Sequence, residues 1–143
     1  MMITCINGSI KGYWYEEGYI RTSSFEYSLK YNKDPLVHLT NDAIQKNCSS
    51  YGKYEKGNKL SYQDFQKYLD TSINPARKKD QKVNFFDDIL PQLKNIATES
   101  LRASYALLDP KRKERNFELL GLDFMLDEDL KPWLIEINTN PCL

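Results

Sequence analysis

Apolar and polar residues alternate most clearly late in the chain. From Phe117 to Leu126 the pattern reads as one strand, and Trp133 to Ile137 reads as a second. Asp127-Glu-Asp-Leu-Lys-Pro132 between them has the composition of a turn, and its proline would stop either strand. A longer period governs the stretch from about Asp88 to Leu108. There Ile89, Leu93, Ile96, Ala103 and Leu107 fall at spacings compatible with one buried helical stripe. Pro91 is tolerable only in the first turn, which fixes the start, and Asp109-Pro110 ends the helix. Ser61 is placed to cap a shorter helix running to about Asp70, burying Phe65 and Leu69. Lys11 to Thr22 reads as a hairpin turning at Glu16-Glu17-Gly18. Leu36-Val-His-Leu39 is short and β-like, and the capping residues Thr40-Asn41 follow it. Ser23 to Pro35 and Asn47 to Lys59 read as loops, and Asn74 to Gln81 as an exposed polar breaker.

This order predicts an α+β fold with antiparallel strands and packed helices. Strands toward both ends of the chain predict sheet edges that another element covers. At 143 residues the sequence suits one domain, or part of one, with a real core. Lys+Arg and Asp+Glu balance at 20 each, so no bulk charge points to nucleic acid or to a membrane surface. No apolar run approaches the roughly 20 residues needed to cross a bilayer. Met1-Met-Ile-Thr-Cys5 lacks the basic and apolar regions of a signal peptide. Cys5, Cys48 and Cys142 are odd in number and widely spaced, which predicts free thiols in a reducing compartment. Cys142 beside Pro141 is a free cysteine near the chain end or a reactive thiol. Lys111-Arg-Lys-Glu-Arg115 reads as a solvated basic turn, with phosphate or partner binding as the alternative.

Three groups carry candidate chemistry. Counting register outward from the last turn, with Leu126 paired to Trp133, puts Met125 in line with Leu134, Asp123 opposite Glu136, and Gly121 opposite Asn138. Side chains alternate along a strand, so Asp123, Glu136 and Asn138 share one face. Directly opposed carboxylates, with Cβ atoms roughly 4.5–5.5 Å apart, repel each other. Either a hard cation such as Mg2+ gathers these oxygens, or the acids are solvated on an exposed face or one is neutral. Arg21 stands at a strand end before Thr22-Ser-Ser24, as a fork for phosphate or carboxylate or as a structurally paired arginine. His38-Leu-Thr40-Asn41 offers an imidazole, a hydroxyl and an amide, either as a phosphate contact or as an ordinary cap with a packed histidine.

Together these groups resemble the tubulin–tyrosine ligase and ligase-like family. The matching stretches are Glu17-Gly-Tyr-Ile-Arg-Thr-Ser-Ser24, His38-Leu-Thr-Asn-Asp-Ala-Ile-Gln-Lys46, Tyr51-Gly-Lys-Tyr-Glu-Lys-Gly-Asn58, and Leu120-Gly-Leu-Asp-Phe-Met125 through Glu136-Ile-Asn138. Their order runs from about Gly12 to Leu143. Leu122 stands where an aromatic is usual, a volume change that repacking can absorb. The Arg21 and Leu39-to-Lys46 stretches look closer to tyrosine-ligase-like members than to typical polyglutamylases.

The resemblance implies an ATP-grasp fold and an ATP-dependent ligase that joins a free amino acid to a tubulin tail carboxylate through an acyl-phosphate. It implies Asp123, Glu136 and Asn138 as ligands of Mg2+, with Thr40 and Asn41 near the ATP phosphates. It makes Arg21 the catalytic arginine facing phosphate and acceptor. It leaves open whether tyrosine, glycine or glutamate is added, and it carries a cytoplasmic, cytoskeletal or ciliary location. It further implies a C-terminal portion of the family domain. The family's nucleotide-clamping lysine region and Asp-Ile-Arg strand have no match in Met1 to Ile10, and the family normally continues beyond Asn-Pro-Cys-Leu143. Weak or absent catalysis by these residues alone is therefore expected. The alternative is a non-catalytic, truncated remnant that keeps nucleotide or tubulin contacts.

Overall fold

The structure is a computed structural model, and it describes residues 1–111 and 115–141. The chain divides into two compact units, Met1–Glu16 with Val83–Leu143, and Glu17–Lys82. Both mix helix with antiparallel strand pairs, as an α+β sequence should.

The first unit is founded on a hairpin that the early hydrophobic pattern conceals. Strand β1 (Met2–Ile6) and strand β2 (Ser9–Tyr13) pair antiparallel, from Ile6 against Ser9 to Met2 against Tyr13. Asn7 and Gly8 join them with φ of 51° and 77°, the double left-handed geometry of the turn that suits strand twist. The expected hairpin from Lys11 to Thr22 is therefore not formed. The Asn-Gly turn captures β2 for β1, and Glu16 to Gly18 leads instead into the second unit. On its other side β1 pairs with β5 (Arg115–Leu119), giving a sheet of order β2-β1-β5 with Ile3 and Cys5 buried at its centre.

The continuous strand expected from Phe117 to Leu126 is two strands. Leu120 is buried between β5 and β6 (Gly121–Leu126), and its N–H donates to the Met1 carbonyl at 2.8 Å. Strand β6 then leaves that sheet and pairs with β7 (Pro132–Asn138) alone. Pro132 is the first residue of β7, where its missing N–H costs least. The hairpin closes at Leu126 against Pro132 and Met125 against Trp133, one residue short of the expected pairing. A bulge between Asp123 and Phe124 takes up the difference, with Ile135 as the extra residue of β7, and restores Asp123 against Glu136 and Gly121 against Asn138.

Helix α4 (Leu90–Leu108) packs on β2 and β7. A wide turn over Phe85–Ile89 leads into it, and Asn84 caps that turn by accepting from the Phe86 and Asp87 N–H groups at 2.8 and 3.1 Å. Pro91 lies in the first turn, as its chemistry requires. The buried stripe runs through Ile89, Leu90, Leu93 and Ala97, with Ile96 and Leu101 half-buried. Ala103 and Leu107 lie outside it, and Leu107 is 78 % exposed. The helix turns by 3.6 residues, so Leu101, Ser104 and Leu108 continue the inward face in the later turns. The expected basic connector is described only at Lys111 and Arg115; Arg112, Lys113 and Glu114 lie outside the described residues, as does Cys142. Cys5 and Cys48 are free and buried.

In the second unit β3 (Tyr19–Arg21) pairs with β4 (Lys59–Ser61), setting Arg21 directly against Lys59. Ser61 caps α3 (Tyr62–Tyr68), its Oγ accepting from the Asp64 N–H at 3.1 Å, and Phe65 and Leu69 are buried as expected. The β-like segment expected at Leu36–Leu39 is a helical turn, α1 (Pro35–His38). Asp34 Oδ1 accepts from the Leu36 N–H at 2.9 Å and Pro35 presets the first helical φ, so a strong start signal overrides the β preference of Val37. A second single turn, α2 (Asp42–Gln45), follows Asn41. Three amides are buried in this unit, Gln45, Asn58 and Asn74. No helix of the described residues is long and apolar enough to cross a membrane.

Candidate functional site

Strands β6 and β7 turn one face inward and one outward. Leu122, Phe124 and Leu134 are half-buried, whereas Asp123, Met125, Trp133, Glu136 and Asn138 are exposed. The structure brings the three expected donors together on that outer face. Asn138 Nδ2 donates to Asp123 Oδ2 at 3.3 Å and to Glu136 Oε1 at 3.2 Å. One amide N–H2 thus bridges two facing carboxylates, which softens their repulsion in the way a cation would. Among the described residues no group of three or more His, Cys, Asp and Glu side chains is placed to hold a metal ion.

The turn beneath the trio is tightly bonded. Asp127 accepts from the Trp133 indole N–H at 2.8 Å, from the Lys131 N–H at 2.9 Å and from the Asp129 N–H at 3.0 Å. The indole bond first, and the two backbone bonds after it, hold the Asp127 carboxyl below the usual carboxylate range. Lys131 lies over the Trp133 ring at 4.5 Å. The loop is thereby fixed by its own side chains, and it delivers the two strands at a set register.

Arg21, Thr40 and Asn41 belong to the second unit. Arg21 ends β3, where its Nη2 donates to the Tyr19 hydroxyl at 2.9 Å and its guanidinium lies 5.4 Å from the Tyr19 ring centre. Lys59, opposite Arg21 in the ladder, lies 5.3 Å from the same ring. Lys59 Nζ also meets Asp42 Oδ2 at 2.6 Å. That contact pulls the Asp42 carboxyl down and pushes the Lys59 ammonium up. Asp42 directly follows Asn41, so this ion pair ties the Thr40–Asn41 turn to the strand pair that carries Arg21. Asn41 caps α2 by position, without a side-chain capping bond, and α2 is a single turn with little dipole to offer an anion. His38 is packed: its Nε2 is 3.0 Å from the Tyr31 carbonyl and its ring meets Tyr27 edge-on.

The hydroxyls after Arg21 serve the fold. Thr22 Oγ1 donates to Glu55 at 3.2 Å, and Ser23 Oγ donates to the Leu36 carbonyl at 2.6 Å. Ser24 receives the Asn58 amide on its Oγ at 2.9 Å and gives its N–H to Gln45 Oε1 at 2.9 Å. Gln45 and Asn58 organise the candidate residues of this unit, and sequence reasoning missed both. Asn58 carried a signal: it follows Gly57, and with φ of 51° it is a left-handed asparagine of the kind that turns favour. Gln45 carried none.

By architecture, then, this is an antiparallel α+β chain with an acid–acid–amide trio on its last hairpin. It belongs to the tubulin–tyrosine ligase family, whose sequence model matches residues 2–143. Among its relatives is "Probable tubulin polyglutamylase TTLL9" from Rattus norvegicus, 32 % identical over 134 residues, which cover 94 % of this chain and 27 % of that protein. "Tubulin glycylase 3A" from Drosophila melanogaster is 38 % identical over 135 residues, covering 92 % of this chain and 12 % of the relative. "Tubulin monoglycylase TTLL3" from Homo sapiens is 35 % identical over 135 residues, covering 92 % and 16 %. The chain spans about a quarter of the length of the first of these and less of the other two.

Proposed function

We propose that this chain contributes the metal-binding part of an ATP-dependent ligase site that joins a free amino acid to a carboxylate of a tubulin tail. The single observation that carries the proposal is the convergence of Asp123, Glu136 and Asn138 on one exposed hairpin face, in a chain of the tubulin–tyrosine ligase family. The donor set fits Mg2+. Two carboxylates and an amide are hard oxygen ligands, and half a turn of the Asn138 amide presents Oδ1 where Nδ2 now bridges the acids. Mg2+ held there would supply charge neutralisation for ATP phosphates.

In the second unit the protein's own work is binding and orientation. Arg21 offers a planar cationic fork for an anionic oxygen, and the Tyr19 ring and hydroxyl hold it in place. Thr40 and Asn41 are assigned to the phosphates, positioned through the Asp42–Lys59 pair. An acceptor carboxylate becomes an electrophile only once phosphorylated, and the amino group of the incoming amino acid then displaces phosphate. That route requires no protein nucleophile. In this reading the residues form a C-terminal portion of an ATP-grasp domain, working at the cytoskeleton or cilium where tubulin is the partner. The relatives named above are a polyglutamylase and two glycylases by name, which supports a tubulin substrate without choosing the amino acid.

Calorimetric titration of MgATP into the chain and into Glu136→Gln tests the metal assignment. Saturable binding in the parent, abolished in the variant, is expected. Equal affinity in both would remove the hairpin from the site. A folded parent that takes up no MgATP would favour a non-catalytic role.

A further inference from the structure

The second unit contains an open cavity of about 500 Å3 that nothing above uses. Phe25, Tyr27 and Tyr31 supply aromatic walls, Val37 an aliphatic one, and Glu26 and Asp34 the acids. Among these lining residues there is no lysine or arginine. The three rings are held out toward solvent, Phe25 47 %, Tyr27 68 % and Tyr31 55 % exposed. One of them is braced: His38 meets the Tyr27 ring edge-on at 5.5 Å, while its Nε2 lies 3.0 Å from the Tyr31 backbone carbonyl. Asp34 is fixed as well, since its Oδ1 accepts the Leu36 N–H at 2.9 Å.

Aromatic faces are electron-rich, and they attract cations most strongly when these are poorly hydrated. Glu26 and Asp34 are exposed, and a neutral apolar ligand would gain nothing from their charge. An anion would be repelled by both. The remaining class is an organic cation with an apolar body. Lys30 Nζ lies 5.6 Å from the Tyr31 centre, so that ring already has a cation of the chain's own, and Phe25 and Tyr27 are the aromatic contacts left for a ligand.

We propose that this cavity binds an alkylammonium group, with Phe25 and Tyr27 as its aromatic contacts and Glu26 and Asp34 as its counter-charges. The volume falls in the range of small-molecule sites, so a lysine-like stem or a methylated amine fits within it. This assignment is independent of the ligase reading, because none of the residues proposed for that chemistry lines the cavity.

The test is a proton NMR titration of the whole chain with tetramethylammonium and with n-butylammonium, using neopentyl alcohol as the neutral, similarly shaped control. Ring resonances of Phe25 and Tyr27 should shift saturably with one or both cations, at roughly millimolar dissociation constants. Preference for the first identifies a methylated amine, and preference for the second a primary one. Phe25→Ala and Tyr27→Ala, both at exposed positions, should each weaken binding about threefold or more. The double variant Glu26→Gln with Asp34→Asn should weaken it further while keeping the Asp34 cap. Equal binding of neopentyl alcohol, or linear shifts without saturation for both cations, would overturn the proposal.

Discussion

Gln45 is fully buried, and its amide reaches three backbone groups: it donates to the Leu36 and Leu39 carbonyls at 3.1 and 2.6 Å and accepts from the Ser24 N–H. Those groups belong to the segments that precede Thr40 and follow Arg21, so one side chain sets the spacing of both. Gln45→Leu fills similar space but leaves these partners unpaired in a dry environment. It should cost about 3 kcal/mol in a denaturant titration, with the helical circular-dichroism signal of the folded state retained. A loss below about 1 kcal/mol would mean that water replaces the amide. Asp127 is the counterpart in the other unit. Its pKa is depressed in the folded chain, so its contribution to stability is fully present above the ordinary aspartate range and fades as pH falls through the depressed value. The stability difference between the parent and Asp127→Asn should therefore be widest near neutrality and vanish in acid. A difference independent of pH would assign the effect to shape in place of charge. Neither role was legible beforehand. Asp127 read correctly as a turn residue, but its bond to Trp133 depends on an indole six positions away. Gln45 sits in a polar segment, and its partners at Ser24, Leu36 and Leu39 come together only in the fold, which no local pattern reports.

Elements were legible where local chemistry was unambiguous. Ser61, Pro91 and Asp109 marked helix ends correctly because capping and proline geometry act within a single turn. Ser61 also donates to Asp64 Oδ2 at 2.7 Å while capping that residue's N–H, a reciprocal pair at the start of α3. Ser61→Ala should lower stability by about 1 kcal/mol, read from the thermal or denaturant midpoint, and Ser61→Asp should recover most of it. Failure of the aspartate to recover stability would show that the hydroxyl's donated bond, not its accepted one, matters. Elements were misread where two local signals competed. Asn7-Gly8 and Glu16-Glu17-Gly18 both have turn composition, but only the first gives consecutive left-handed residues, and that decides which neighbour β2 pairs with. Val37 and Leu39 suggest a strand, yet Asp34-Pro35 starts a helix turn first. In α4 the error is one of phase: Ala103 and Leu107 continue a plausible stripe on paper, and the accumulated rotation of the helix carries them to the solvent side.

At the scale of the molecule the two units are built on different principles. Every buried side chain named for the sheet-and-helix core of the first is apolar: Ile3, Cys5, Phe85, Ile89, Leu90, Leu93, Ala97 and Leu120. The second buries Gln45, Asn58 and Asn74 beside Val37, Phe65 and Leu69, so its order depends on satisfied amides as much as on apolar area. The α+β class was legible from element order. The division into units was not, because the first unit is closed by the pairing of β1 with β5, more than a hundred residues apart in sequence. The polar trio was legible for a reason that the bulge at Ile135 makes plain in genetic terms. Without the bulge, the register set by Leu126 and Pro132 would run on unchanged, placing Ile135 opposite Asp123 and Glu136 opposite Leu122 on the inward face. At this strand length the bulge therefore separates a hairpin with a paired acid rung from one with a stranded, inward carboxylate. Removing the Ile135 codon slides the following residues back by one and brings Glu136 opposite Asp123 again, in an unbroken ladder. Cross-strand NMR contacts between Asp123 and Glu136 should survive that deletion, whereas inserting a residue after Glu136 should leave that rung intact and move Asn138 off the shared face. The site can thus outlast the loss of the residue that now aligns it, whereas an added residue beyond Glu136 takes Asn138 away from it.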